Sequence, residues 1–197
     1  ERTALLVERH AFPSDRYAVE SQVRFHGLDP ARDLIEIAPR NGEACLRTED
    51  IVALLEREGA RIATVLLPGV QYLTGQELDI GTITAAGHRA GCIVGWDLAH
   101  AIGNVELHLH DAGADFAAWC NYKYLNGGPG AVGGAFVHER HGSRDDLPRL
   151  AGWWGHDKAT RFEMGAEFRP SEGANGWQLS TPPVLAIAPL AASLEHF

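Results

Sequence analysis

Two stretches of the sequence place reactive side chains where an alternation of strands and helices would expose them. Residues 92–96 (CIVGW) lead directly into Asp97, with His100 three positions on. Residues 115–119 (DFAAW) lead into Asn121-Tyr122-Lys123-Tyr124, and then into Asn126-Gly127-Gly128-Pro129-Gly130. A carboxylate at one strand end and an amine just past another would converge in one crevice. That set suits pyridoxal phosphate (PLP). This cofactor needs a lysine for its Schiff base and a carboxylate that keeps the pyridine nitrogen protonated, because the pyridinium is the electron sink. It also needs an anion site of hydroxyls and backbone N–H groups for its phosphate. Glycines beside the lysine allow the backbone to approach a ring closely. Taken singly, each residue has an ordinary alternative. An aspartate at a strand end is commonly a cap or turn residue, and a lysine before a glycine-rich loop is commonly solvated. The loop also lacks the lysine–serine pair of a nucleotide P-loop.

The elements that must position these groups are legible from periodicity. Strands are expected at 3–8, 33–37, 61–67, 92–96, 115–119 and 132–138. Ser14 can cap a helix over 15–26 that Gly27 ends. Thr48, Glu49 and Asp50 open a helix with Ile51, Leu54 and Leu55 at helical spacing, and Gly59 stops it. Further helices are expected at 77–90 and 183–196, the latter open to interruption at Pro189. The stretch 139–180, rich in glycine and charge, reads mostly as loop. Strands separated by helices imply βαβ units and a largely parallel sheet, with ligands outside the carboxyl ends of its strands.

Length and composition narrow the class. The 197 residues suit one domain, residues 1–197, with 45% apolar and 22% charged residues. A formal net charge of −9 without any basic stripe argues against a nucleic-acid partner. No apolar run reaches the roughly 18–20 residues of a spanning helix, so no membrane segment is expected. Cys45, Cys92 and Cys120 are widely spaced, have no metal-ligand pattern and lie near apolar residues. They read as buried thiols of a reducing, cytoplasmic compartment, with no metal site. The chain opens without methionine on a strand and closes inside a helix, which points to a fragment of a longer protein.

Longer motifs carry a family resemblance. Gly91-Cys92-Ile93-Val94-Gly95-Trp96-Asp97-Leu98-Ala99-His100-Ala101-Ile102-Gly103-Asn104-Val105 resembles the cofactor segment of kynureninases. So does Asp115-Phe116-Ala117-Ala118-Trp119-Cys120-Asn121-Tyr122-Lys123-Tyr124-Leu125-Asn126. Phe12-Pro13-Ser14-Asp15, Gly152-Trp153-Trp154-Gly155-His156 and Leu179-Ser180-Thr181-Pro182-Pro183 extend the similarity over essentially the whole chain. The resemblance implies an α/β fold. It would be the PLP fold-type I large domain, a mostly parallel central sheet flanked by helices, here without the N-terminal segment and the C-terminal small domain.

The resemblance also implies roles. Lys123 would hold PLP as the Schiff base and then move the substrate α-proton. Asp97 would pair with the pyridinium nitrogen, reinforced by Asp15. Phe12 would lie against the ring, with Ser14 and His100 nearby. Tyr122 would reach the phosphate and assist proton transfer. Trp153 and Thr181 would reach the phosphate from the partner subunit of a homodimer that shares its sites. The implied reaction is hydrolytic Cβ–Cγ cleavage of L-kynurenine or its 3-hydroxy form, giving alanine and anthranilate or 3-hydroxyanthranilate, in tryptophan catabolism and NAD biosynthesis. Two departures stand out: Pro68 replaces a serine of some family members, and Thr181 an asparagine. Another fold-type I enzyme (a cysteine desulfurase or an aminotransferase) and a non-catalytic truncated module are the competing readings.

Overall fold

The computed structural model describes residues 2–144 and 146–197. The chain divides into two compact units, Glu1–Trp119 and Cys120–Phe197.

The first unit is built on parallel strands. β1 (Ala4–Glu8) lies between β2 (Leu34–Ile37) and β3 (Ile62–Pro68), and β4 (Ile93–Asp97) joins β3 to β5 (Phe116–Cys120). Every ladder among them is parallel, in the order β2-β1-β3-β4-β5. Parallel strands are covered on both faces and therefore read as near-continuous apolar runs. Leu6, Val65, Leu67, Val94 and Trp96 are accordingly buried almost completely. Each such side chain contributes roughly 1.5–3 kcal/mol on removal from water. Trp96 also brings its indole N–H to Thr84 Oγ1 at 3.1 Å, so its polar edge is satisfied inside the core.

The first helix, α1 (Pro13–Phe25), begins one turn position earlier than the expected Ser14 cap. Pro13 holds the fixed φ of a first helical residue, so Phe12 becomes the N-cap, without a side-chain cap bond, and Ser14 falls inside the first turn. Val19 and Val23 face the core. The helix closes with the Gly27 N–H on the Arg24 carbonyl at 2.9 Å and the Leu28 N–H on the Val23 carbonyl at 3.0 Å. Residue 33 belongs to the short helix α2 (Pro30–Asp33) rather than to β2. Helix α3 (Thr48–Glu58) buries Ile51, Leu54 and Leu55 as expected, and Gly59 continues it into a single 3-10 turn, Gly59–Arg61, instead of stopping it. Helix α4 (Ile80–Arg89) starts where Asp79 Oδ1 accepts the Thr82 N–H at 2.9 Å, later than the sequence suggested. Between β4 and β5 the chain makes turns rather than a helix.

The second unit contains β6 (Gly133–Val137), the short helix α5 (Glu139–Gly142) and α6 (Val184–Leu194). The stretch read as loop also holds 3-10 turns at Trp153–Gly155, Arg161–Glu163 and Gly173–Trp177. Pro189 does not break α6, whose flanking alanines and leucines favour the helix strongly enough to carry it through. Arg161, 6% exposed, lies over the Trp154 ring at 4.6 Å and the Trp153 ring at 5.5 Å. Its guanidinium donates to the carbonyls of Trp154 and His156.

The thiols differ from the sequence reading. Cys92 is buried, Cys120 is half-buried, and Cys45 is exposed, in a polar turn outside the core. No helix among the described residues is long and apolar enough to cross a membrane, and no group of three metal-ligating side chains gathers among them.

Candidate cofactor site

In the first unit the strand order reverses between β1 and β3, which makes their carboxyl ends the topological switch point of the sheet. A narrow crevice lies there, with room for about one water molecule (≈ 10 Å³). Phe12, Asp15, Tyr72, Asp97 and His100 all line it, beside Glu8 and Pro68. Four of the residues expected from the sequence are thus brought together by three strand ends. Ser14 is exposed on α1 and is not among the lining residues.

Each of these side chains has a local reason for its place. Asp97 is the last residue of β4, paired in register with Pro68 and Ala118. Its Oδ1 accepts the Ala99 N–H at 2.8 Å, which ties the carboxylate to the turn it begins. His100 sits within that turn, closed by the Ala101 and Ile102 N–H groups on the Leu98 carbonyl, both at 3.0 Å. Asp15 stands in the first turn of α1, where the helix dipole favours a negative charge. Phe12 is 44% exposed and meets Tyr72 edge-on, with ring centroids 5.3 Å apart.

Tyr72 was not anticipated. It stands against Phe12 on one side and His100 on the other, 6.2 Å between centroids and tilted by 33°. Its position in a polar turn, without periodicity, gave no signal beyond its being an aromatic residue shortly after a strand end.

In the second unit, Lys123 lies in a turn held from both ends by Asn121. The Asn121 amide donates to the Val132 carbonyl at 2.7 Å, and the Asn121 carbonyl accepts the Gly127 N–H at 2.8 Å. A Cβ on residue 127 would come within 2.8 Å of the Asn121 carbonyl oxygen, so glycine is required for the turn to close. Asn121 is 5% exposed, Lys123 is half-buried, and Tyr122 is exposed. A hydrogen bond with Cys120 pushes the Tyr122 hydroxyl upward from its ordinary value.

Trp153 sits in the Trp153–Gly155 turn, half-exposed. Its indole N–H donates to the Arg161 carbonyl at 3.3 Å, and its ring meets Phe162 edge-on at 5.5 Å. The stretch around Leu179 lies against it because Gly152 has no side chain: a Cβ there would be 2.0 Å from the Leu179 carbonyl oxygen. Thr181 follows this contact and is exposed. His156 carries no free ring nitrogen for a substrate entrance, since Nε2 pairs with Thr160 Oγ1 at 3.0 Å and Nδ1 accepts the Arg169 N–H at 3.2 Å. Asp115 does not cap a turn; buried, it accepts the Val94 N–H at 2.7 Å and pairs with His88 at 2.8 Å.

These side chains fit PLP. The crevice offers two carboxylates and an accessible aromatic ring at strand ends, and the lysine turn is pinned by a buried asparagine.

No family model matches the chain. Among solved structures, the apo cysteine desulfurase of Thermococcus onnurineus NA1 superposes with a TM-score of 0.73 at 20% identity, covering 100% of this chain and 46% of that one. A mutant of C-DES with glycine covalently linked to its PLP cofactor gives 0.76 at 21% identity, covering 100% of this chain and 49% of that one. The fold is therefore that of the large domain of the PLP fold-type I class. Within that class the similarity in sequence is to the kynureninases. Those of Koribacter versatilis and Myxococcus xanthus are each 60% identical over all 197 residues. The chain spans about half the length of the curated relatives it matches, 46% of each of these two.

Proposed function

We propose that this chain is the PLP-binding part of a kynureninase, which hydrolyses the Cβ–Cγ bond of L-kynurenine or 3-hydroxykynurenine to release alanine and anthranilate or its 3-hydroxy form. The observation that carries the reading is the crevice shared by Asp97, Asp15, Phe12 and His100, in a chain 60% identical to kynureninases along its whole length. When bound, PLP supplies an electron sink for charge developing on the substrate α-carbon. The rest is the work of side chains.

Lys123 attaches the cofactor through its amine and moves the proton at the substrate α-carbon. Asp97, fixed by the Ala99 N–H, keeps its negative charge at the pyridine nitrogen, and Asp15 adds a second negative charge on the same side. Phe12 and His100 flank the ring. Tyr122 donates to the phosphate and serves proton transfer, while Trp153 and Thr181 reach the phosphate of the partner subunit in a homodimer. Ser14, exposed on the first turn of α1, retains only the contact implied by family resemblance. A cytoplasmic location accords with the acidic composition and the unpaired thiols.

Borohydride reduction of the PLP-loaded protein, followed by peptide mapping and an assay for anthranilate release, tests the assignment. The expected result is one adduct, on Lys123, with Lys123→Ala abolishing both adduct and turnover. An adduct elsewhere with Lys123 unmodified in folded protein, or near-normal turnover of Lys123→Ala, would overturn it.

A further inference from the structure

The mechanism leaves one buried acid unused. Glu8 ends β1 at 4% exposure and lines the same crevice as Asp97 and Phe12. Its Oε2 has no hydrogen-bond partner among the described residues. Burial pushes its carboxyl group upward from the usual range, against the Gln71 side chain that hydrogen-bonds it and the nearby His10. An acid kept in such a place at a strand end is costly unless it holds something.

What it touches is the organising residue of the turn after β3. Gln71 is 3% exposed. Its Oε1 accepts the N–H groups of Leu73 and Thr74 at 2.6 and 3.0 Å, and its Nε2 donates to the His10 carbonyl at 3.0 Å. That amide nitrogen carries two hydrogens, so one remains for Glu8. The backbone closes around the same residue: the Gln71 N–H meets the Gln76 carbonyl at 2.8 Å, the Gly75 N–H meets the Gln71 carbonyl at 2.8 Å, and Val70 bridges Glu77. The next residue along the chain is Tyr72, whose ring stands between Phe12 and His100.

We propose that Glu8 is a positioning residue that acts through Gln71, fixing the turn over residues 69–78 so that Tyr72 braces Phe12 and His100 in the crevice. The inference rests on the PLP reading of that crevice. The bond to Gln71, rather than negative charge, is what the fold uses, so an amide at residue 8 serves as well as an acid.

The test uses the full chain in two measurements. One is amide hydrogen exchange at Leu73 and Thr74 without cofactor; the other is the dissociation constant for PLP, read by absorbance. Glu8→Leu is expected to speed exchange at both amides and to weaken PLP binding by about five- to ten-fold, the worth of one lost hydrogen bond. Glu8→Gln should leave both readings within about two-fold of the parent, since its side-chain oxygen still accepts from Gln71. Tyr72→Leu should weaken PLP comparably without touching the buried acid, and combining it with Glu8→Leu should add little. Unchanged exchange in Glu8→Leu, damage from Glu8→Gln equal to that from leucine, or fully additive losses in the pair would overturn the proposal. A parent chain that takes up no PLP would sink the cofactor reading and the functional half of this inference with it. The exchange rates would still decide whether Glu8 holds the turn.

Discussion

Pro68 and Asp97 are register partners at the ends of β3 and β4, and the Gly69 N–H donates to the Asp97 carbonyl at 2.8 Å. Proline offers no N–H of its own at this point. The Asp97 main chain is thus tied to the residue after Pro68, and its carboxylate to Ala99, before any cofactor is present. The carboxylate is pre-placed by backbone bonds that its own charge does not have to make.

Asp97→Asn should therefore fold normally while losing the charge at the pyridine nitrogen. Turnover is expected to fall by on the order of 10²–10³, the usual loss when one pre-placed electrostatic contact is removed. Steady-state anthranilate release, with the thermal midpoint as control, measures this; unchanged turnover would remove Asp97 from the site.

Asn121→Ala should leave the Val132 carbonyl without its donor and loosen the lysine turn. A loss of about 1–3 kcal/mol in stability is expected from an orphaned polar group, together with weaker borohydride labelling of Lys123. Asn121→Asp should be worse, because an ionised carboxylate would face a carbonyl oxygen and can donate nothing. Denaturant midpoints and the adduct yield report the two effects.

Gly152→Ala would place a methyl group 2.0 Å from the Leu179 carbonyl oxygen. The backbone must shift to relieve it, at a cost of about 1–3 kcal/mol. Urea unfolding followed by tryptophan emission should show both the lower midpoint and a changed environment for Trp153. An unaltered midpoint would show that the two segments part without penalty.

Asp33 gives an acid-stability prediction. The Arg32 guanidinium first, and then the Thr3 hydroxyl, hold its carboxyl down from 3.8 to about 2. The folded value lies below the unfolded one, so its contribution is complete above about 3.8 and is lost as pH falls through about 2. Asp33→Asn should be less stable at neutral pH and should lose part of the acid slope between these limits. Urea midpoints measured across that range test it; an acid slope identical to the parent's would contradict the assignment.

The sequence revealed the strands and their chemistry because parallel strands are long apolar runs that end abruptly in polar residues. Asp97, His100 and Lys123 could be placed for that reason. Ser14 was misplaced as a cap because proline's fixed φ outranks a hydroxyl's capping preference, moving the helix start back to Pro13. Asp115 looked like a turn residue because it precedes a strand, yet its partners Val94 and His88 lie in other elements and are brought to it only by folding. Glu8, Gln71 and Tyr72 were missed for the same reason: a turn organised by one side-chain amide has no period. Cys45 was misjudged because nearby apolar residues in sequence were not its neighbours in space.

The asparagine that pins the lysine turn also bears on the order of assembly. Its side chain reaches a carbonyl only eleven residues along the chain, whereas β1 pairs with β3 across about sixty. Closing so short a loop costs little chain entropy and takes on the order of 10–100 ns. The β1–β3 ladder must wait for a much longer search. In a refolding experiment, protection of the Gly127 amide should therefore precede that of β1, so that the anchor for the chemistry is in place early in folding.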